Sequence, residues 1–462
     1  MSTNSNSIGL ARRQKAFFLL EDTFGTIQFP VGTLDFIAPV GNASINQNPA
    51  FVDSEEVQDT LDVTNRFQNA LPAAVWSLPM YLRPSGTIGS PPQGSALFRA
   101  LQGATNATTT AAITTDPGAT AGTIEIGTIA GGIMPETGVV TVDTEKIRYS
   151  GILRASRTAT AATLTGCERG YDASTAATHA PAKVVTLSSI FYRQTTTSPS
   201  FSLWVESDHL VQGVQGASVD ACDMEVNNEG AITFNFSGQG MKMVWAGSSS
   251  LSASSLATNT HLHVVDASLY STGAYIWNYT KGAGVSAHAS IATVDTVNNI
   301  LYLSNALGCT GATSDVIKGY LPTGTLIGDP IESKNTSLLI NGVATLIKAS
   351  SLSIKAPKKY LTDEVGTLFP EDFLEDKRDI SGSLRIYFRK ADAKYFTKGL
   401  SSTEYPVLIN FGNVDGEEVV LYMKRVKIEA PAVEFSTPAI DLTIPVKALG
   451  TVGEDSLEVI LP

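Results

Sequence analysis

The sequence predicts a mainly β protein built around a duplicated unit. Three observations carry that reading. Ser, Thr, Ala and Gly abound between short apolar runs, the texture of strands joined by turns. Helical periodicity survives in only two short stretches, 95–102 and 392–400. A strand-loop-helix phrase also occurs twice. Residues 71–103, LPAAVWSLPMYLRPSGTIGSPPQGSALFRALQG, read as a strand over 75–83, a Pro/Gly-rich loop and a helix. Residues 383–401, SLRIYFRKADAKYFTKGLS, repeat the phrase. Each copy is followed by strand, turn, strand, turn, strand, over 199–241 and 405–450.

Composition bounds the rest. A chain of 462 residues exceeds one core, so several domains are expected. With 43% apolar and only 16% charged residues, the chain is predicted to fold throughout. The net charge of −12 argues against generic nucleic-acid binding, though not against facing DNA without holding it. Cys167, Cys222 and Cys309 form no even disulfide set, which suggests folding in a reducing compartment. AFFLL at 16–20 is too short for a signal core, and no window matches a membrane helix.

Along the chain, residues 1–50 read as an arm of low periodicity with a basic cluster, Arg12, Arg13 and Lys15. It either docks as one strand or reaches a neighbouring subunit, where Phe17, Phe18, Leu19 and Leu20, with Phe51 of the loop that follows, are the apolar candidates. Residues 51–67 hold Asp53, Glu55, Glu56, Asp59 and Asp62 against Arg66, a solvated acidic loop. Residues 104–188 interrupt the first copy as a small β-module whose ends must lie close together. GSSSLSASSL at 247–256 reads as a flexible linker to a second module ending near Pro322. TVDT occurs in both modules, at 141–144 and 293–296. In the helices, Leu97, Phe98 and Leu101, and Tyr395 and Phe396 beside Leu400, are the predicted buried stripes.

No reaction motif is present: there is no GxSxG, P-loop, GxGxxG after a strand, or HExxH. His261 and His263 share one strand face near Asp266, a weak metal pattern and more plainly a polar face. Cys167 and Cys309 have no neighbouring base, and Cys222 alternates with apolar positions. The expectation is therefore no enzyme, no catalytic residue, no cofactor and no metal.

EDTFGT at 21–26 resembles the opening phrase of major tail tube proteins of long-tailed (siphovirus-type) bacteriophages, with Asp22 inserted and Phe24 in place of Tyr. MYLRPSGTIGSPPQGSALFRALQG, 80–103, is similar to that family's strand, open loop and helix. GASVDACDMEVNNEGAITFNFSGQG, 216–240, is similar to its strand and return strand, although Cys222 does not adjoin Gly216 as the family's Gly–Cys pair would have it. TLTGCERGYDASTAATHAPAKVV resembles small β-modules that recur in phage virion proteins. The resemblance covers most of 10–247 and, more weakly, 323–462.

The resemblance implies two tandem tail-tube-type β-sandwich domains, each with a short flanking α-helix. The first spans 1–103 plus 189–247 with the N-terminal arm, and the second spans 323–462. Residues 104–188 would be an inserted β-module, and 248–322 a linker and second β-module. It further implies a structural virion protein that self-associates into rings stacked around a channel for genome ejection. A homotrimer with pseudo-sixfold symmetry is expected, with a homohexamer as the alternative. Other phage tail proteins would meet the tube ends, DNA would pass non-specifically, and no membrane is involved. Three chains at −12 carry 36 excess negative charges, and only those within roughly 8–10 Å of DNA act through physiological salt. Other readings are a tail or baseplate hub or decoration protein, or a surface carbohydrate-binding β-protein with Trp204, Trp245 and Trp277 as sugar platforms.

Overall fold

The computed structural model describes residues 13–461 apart from 32–34, 58, 60–61, 106–108, 131–132, 156–160, 283, 402, 436–438 and 452. It is mainly β. The chain begins with β1 (Gln14–Leu20), β2 (Phe36–Ile37), β3 (Ser44–Asn46), β4 (Phe51–Asp53), β5 (Arg66–Gln68), β6 (Ala74–Tyr81), α1 (Ser95–Gln102) and β7 (Gly103–Thr105). Short strands follow: β8 (Thr110–Ala112), β9 (Thr123–Ile126), β10 (Gly138–Val142), β11 (Glu145–Tyr149), β12 (Gly151–Leu153), β13 (Ala162–Thr165) and β14 (Val184–Leu187). The chain continues through β15 (Ile190–Gln194), β16 (Phe201–Ser207), β17 (Leu210–Val226) and β18 (Thr233–Ala246). Then come β19 (Ser248–Ser250), β20 (His261–His263), β21 (Tyr275–Asn278), β22 (Ala289–Asp295), β23 (Ile300–Leu303) and β24 (Val316–Gly319). The last stretch holds β25 (Thr336–Ile340), β26 (Val343–Ala344), β27 (Ala349–Lys355), β28 (Lys358–Tyr360), β29 (Phe373–Glu375), β30 (Asp379–Tyr387), α2 (Lys394–Leu400), β31 (Glu404–Phe411), β32 (Val419–Ile428), β33 (Ala432–Phe435), β34 (Ile440–Leu449) and β35 (Glu458–Leu461).

Two runs of strands share one order. Antiparallel pairing links β2-β1-β16-β17-β18-β6-β3. The same rule links β26-β25-β31-β32-β34-β30-β27. A small hairpin interrupts each run at the same place, β4 with β5 and β28 with β29. β17 shifts register against β18 between Val219 and Ala221. The equivalent strand of the second run breaks at 429–431 and resumes as β33. The runs meet where the C-terminal half of β17 pairs with β27, so one sheet runs through both. Alternation produces this: Phe234 and Phe236, or Ile444 and Val446, turn inward while their neighbours stay partly exposed. A single apolar cluster, including Trp76, Phe98, Phe236, Leu384 and Ile444, underlies both runs.

Helix α1 follows Pro91 and Pro92 and buries Leu97, Phe98 and Leu101 as the periodicity predicts. Helix α2 differs. It is preceded by a 3-10 turn at Lys390–Ala393, and only Tyr395 is buried. Leu400 is 84% exposed and Phe396 is exposed as well, so no apolar stripe packs there. Of the two alternatives for the N-terminal segment, the structure shows the docked strand and not the arm that reaches a neighbouring subunit. β1 lies between β16 and β2, with Phe17 and Phe18 fully buried, so neither is free to reach another subunit. Arg13 meets Asp208 at 3.4 Å and Lys15 meets Glu206 at 2.8 Å, while Arg12 lies outside the described residues.

Residues 110–187 form a four-stranded sheet, β11-β10-β14-β8, and a three-stranded sheet, β12-β13-β9. Their core is not self-contained. Val140, Ile147 and Val185 share an apolar cluster with Phe191, Val420 and Ile460 on β15, β32 and β35. The stretch 247–256, expected to be a flexible linker, is instead packed structure. Ser248–Ser250 is strand β19, paired with β24, and Leu251 is 1% exposed. Ser-rich composition suggested flexibility, but small side chains here line a hydrogen-bonded strand within the six-stranded sheet β19-β24-β21-β22-β23-β20. TVDT ends a strand at a turn in both places, after β10 and at the end of β22.

Candidate assembly surface

The sheet that crosses both runs has one apolar face and one polar face. Inward residues include Trp76 on β6, Phe236 on β18, Met224 on β17, Leu352 on β27, Ile386 on β30 and Leu442 on β34. The outward set is dominated by small hydroxyls and amides. Ser77 Oγ donates to Asn235 Oδ1 at 3.2 Å, and Ser351 and Ser383 hydroxyls lie 2.8 Å apart. Ser353 Oγ donates to Asp223 Oδ1 at 2.5 Å. A depression of about 580 Å³ opens on this face between Asp223, Glu225, Asn235, Ser353 and Ser381.

Lys447, Arg385 and Lys348 on or beside this face are engaged by carboxylates of the same chain, while Lys355 and Lys427 lie exposed on the same face of β27 and β32. Lys447 meets Asp379 at 2.9 Å, and Arg385 meets both Glu434 and Asp441 at 2.9 Å. Lys348 reaches Asp441 from the rim at 2.8 Å. Its hydrogen bond, with the nearby Arg385 charge, holds the Asp441 carboxyl below its usual range. The hydrogen bond that Lys447 donates to Asp379 likewise pushes Lys447 up. Such a surface offers hydroxyls and paired charges to whatever lies against it. Its few cations are set among hydroxyls and carboxylates, so it gives a polyanion little to hold.

The EDTFGT phrase has a structural role. Glu21 is buried at the end of β1, where its carboxylate accepts from Gly25 N at 2.9 Å, Gly216 N at 2.8 Å, Ser200 Oγ at 2.9 Å and Ser202 Oγ at 2.8 Å. Burial raises its pKa, and these hydrogen bonds oppose the rise. Gly25 and Gly216 take φ of 70° and 58°, the left-handed region that favours glycine. Phe24 then packs on Tyr360 and Phe373 of the second run's hairpin, with ring centroids at 6.4 and 5.6 Å. The phrase therefore fixes a turn that ties the two runs together.

Other sequence candidates fall apart as sites. The acidic run forms the exposed β4–β5 hairpin, in which Arg66 meets Asp53 at 3.0 Å and stacks over Phe51. His261 and His263 share a face of β20 with rings 5.9 Å apart, but Asp266 is occupied in capping a 3-10 turn through Ser268. Among the described residues no three His, Cys, Asp or Glu side chains converge as metal ligands. Burial pushes the Cys167 thiol up to about 11 and the Cys222 thiol well above its usual value. Trp204 is fully buried and donates to Gln28 O at 2.8 Å, and Trp277 packs against Tyr320 at 5.3 Å. Trp245 is partly exposed, so the three do not form a joint platform.

Sequence reasoning missed one buried cluster. In the 110–187 region Arg169 forks onto Glu145 at 2.8 Å through both nitrogens, and His179 Nε2 lies 2.7 Å from the same carboxylate. Burial pushes Glu145 up, but Arg169, the Ala177 and Gly170 amides and His179 outweigh it and hold the carboxyl at about 2. The spacing of CERGYDASTAATH gave no local hint, because Glu145 lies on a different strand. The cluster pins a loop. Among the described residues no helix is long and apolar enough to cross a membrane. No protein-family model matches this chain, and no curated protein sequence matches it.

Proposed function

We propose that this chain is a major tail tube subunit of a long-tailed bacteriophage. Two tandem tail-tube-type domains, with modules inserted at 104–188 and within 248–322, would give each chain two ring positions. Three chains would then make a pseudo-sixfold ring, and rings would stack into a channel through which the genome leaves the virion. The observation that carries this reading is the repeated strand order, with its two copies already joined edge to edge by β17 and β27. A second support is the polar face, whose many hydroxyls and few, mostly self-paired cations suit passage of DNA. DNA carries one charge per about 1.7 Å of duplex axis and would be held by a basic wall. Sedimentation velocity of the purified chain over a concentration series tests the proposal. Growth from monomer to rings and long tubes is expected, and a monomer at every concentration would refute it.

A further inference from the structure

The sheet contains a template for its own continuation. Where the runs meet, β17 and β27 pair antiparallel with Met224 opposite Leu352 and Cys222 opposite Ile354. The registers map this contact onto the two free edges. Phe234 lies between Met80 and Met224, as Leu442 lies between Ile386 and Val433. Val433 is thus the counterpart of Met224. On the other side Ile45 faces Trp76 and Leu352 faces Gly382, each four residues before the matched Met80 and Ile386. Ile45 is thus the counterpart of Leu352.

On the β33 side the counterparts are uncovered, while Ile45 on β3 turns its side chain into the core at 6% exposure, as Leu352 does at 3%. Met224 and Val226 are 4% and 3% exposed, whereas Val433 and Phe435 are 40% and 83% exposed. Among the described residues β33 pairs with β34 alone and β3 with β6 alone. Ile440 O accepts from Phe388 N, so by alternation 441 and 443 turn their backbone groups to β33 and engage 434 and 432. The N–H and C=O of Val433 then point away from β34. Pro79 O accepts from Val40 N, which turns 75 and 77 toward β3 and leaves those of Ile45 pointing outward.

We infer that β33 of one copy pairs antiparallel with β3 of a second copy, with Val433 opposite Ile45, Glu434 opposite Ser44 and Ala432 opposite Asn46. This deepens the ring reading above and rests on it. The contact is head to tail, and three copies closed into a ring leave neither the β33 nor the β3 edge open. It brings Val433 against Ile45 as Met224 lies against Leu352, and it carries the polar face across the joint.

Disulfide trapping tests the register. Asn46→Cys and Ala432→Cys are combined on one chain, since both positions are exposed and would form the closer, non-hydrogen-bonded kind of pair. Mild oxidation during assembly is expected to give covalent dimers and trimers and nothing larger. A mixture of the two single variants should stop at dimers, and Asn46→Cys with Val433→Cys, on opposite faces, should not link. Val433→Pro removes an N–H that β34 does not use, so the chain should fold while assembly falls at least ten-fold. Rings seen by microscopy without a covalent ladder would overturn this contact and leave the ring reading standing. A ladder running past three would overturn the closure, and no assembly of the unmodified chain would overturn both.

Discussion

Replacing Glu21 by alanine should destabilise the first run of strands far more than its place near the N-terminus suggests. The side chain accepts four hydrogen bonds, two of them from the backbone N–H groups of Gly25 and Gly216. The Ser200 and Ser202 hydroxyls can rotate toward other acceptors, but the amides cannot. Each buried donor left without a partner costs about 1–3 kcal/mol, so the loss should be about 2–6 kcal/mol. That is a large part of the roughly 5–15 kcal/mol that holds a typical domain together. Glu21→Gln keeps one acceptor oxygen and should lose less. Urea titration followed by tryptophan fluorescence reads the effect, because Trp76 and Trp204 are buried on β6 and β16. Burial raises the Glu21 pKa above 4.5 in the folded chain. Wild-type stability should therefore fall as pH rises from 4.5 through the folded value, a slope that Glu21→Gln lacks. A Glu21→Ala loss below about 0.5 kcal/mol would refute the assigned role.

Other outcomes follow from the same geometry. Phe18→Ala, which empties a site against Phe201 at 4.3 Å, should cost about 3–5 kcal/mol in the same titration, whereas Arg13→Ala at an exposed pair should cost under about 1 kcal/mol. Glu145→Ala leaves buried Arg169 without its carboxylate and should destabilise the 110–187 region by about 3–5 kcal/mol, seen as faster amide exchange at 167–183. Because Glu145 is held near 2 against an ordinary 4.5, its stabilisation is present above pH 4.5 and should fade as pH falls toward 2. Replacing 105–187 with a short Gly/Ser bridge uncovers Val420, Ile460 and Phe191. The shortened chain should then bind a hydrophobic dye and aggregate, and a clean soluble product would show that this shared core contributes little.

The class of the fold was legible, as was α1, because three buried residues at helical spacing follow paired prolines. β1 was less so. Its Phe17 and Phe18 face two different apolar clusters, so AFFLL has no alternation to reveal a strand buried on both sides. The Ser-rich stretch after Gly247 failed for the opposite reason: composition describes an isolated chain, while β19 is made by its pairing with β24. α2 carried a pattern that its surroundings do not use, since Phe396 and Leu400 face away from the sheet. The polar face was invisible in sequence because its residues come from strands as far apart as β6 and β34. Only register brings Ser77, Asn235 and Ser351 into one surface.

End-on class averages of the assembled protein by electron microscopy test the central claim most directly. The account predicts closed rings of three chains, with six sheet units spaced evenly around the channel and β33 continuous with β3 at each joint between copies. Six chains per ring, or particles with no ring at all, would contradict it.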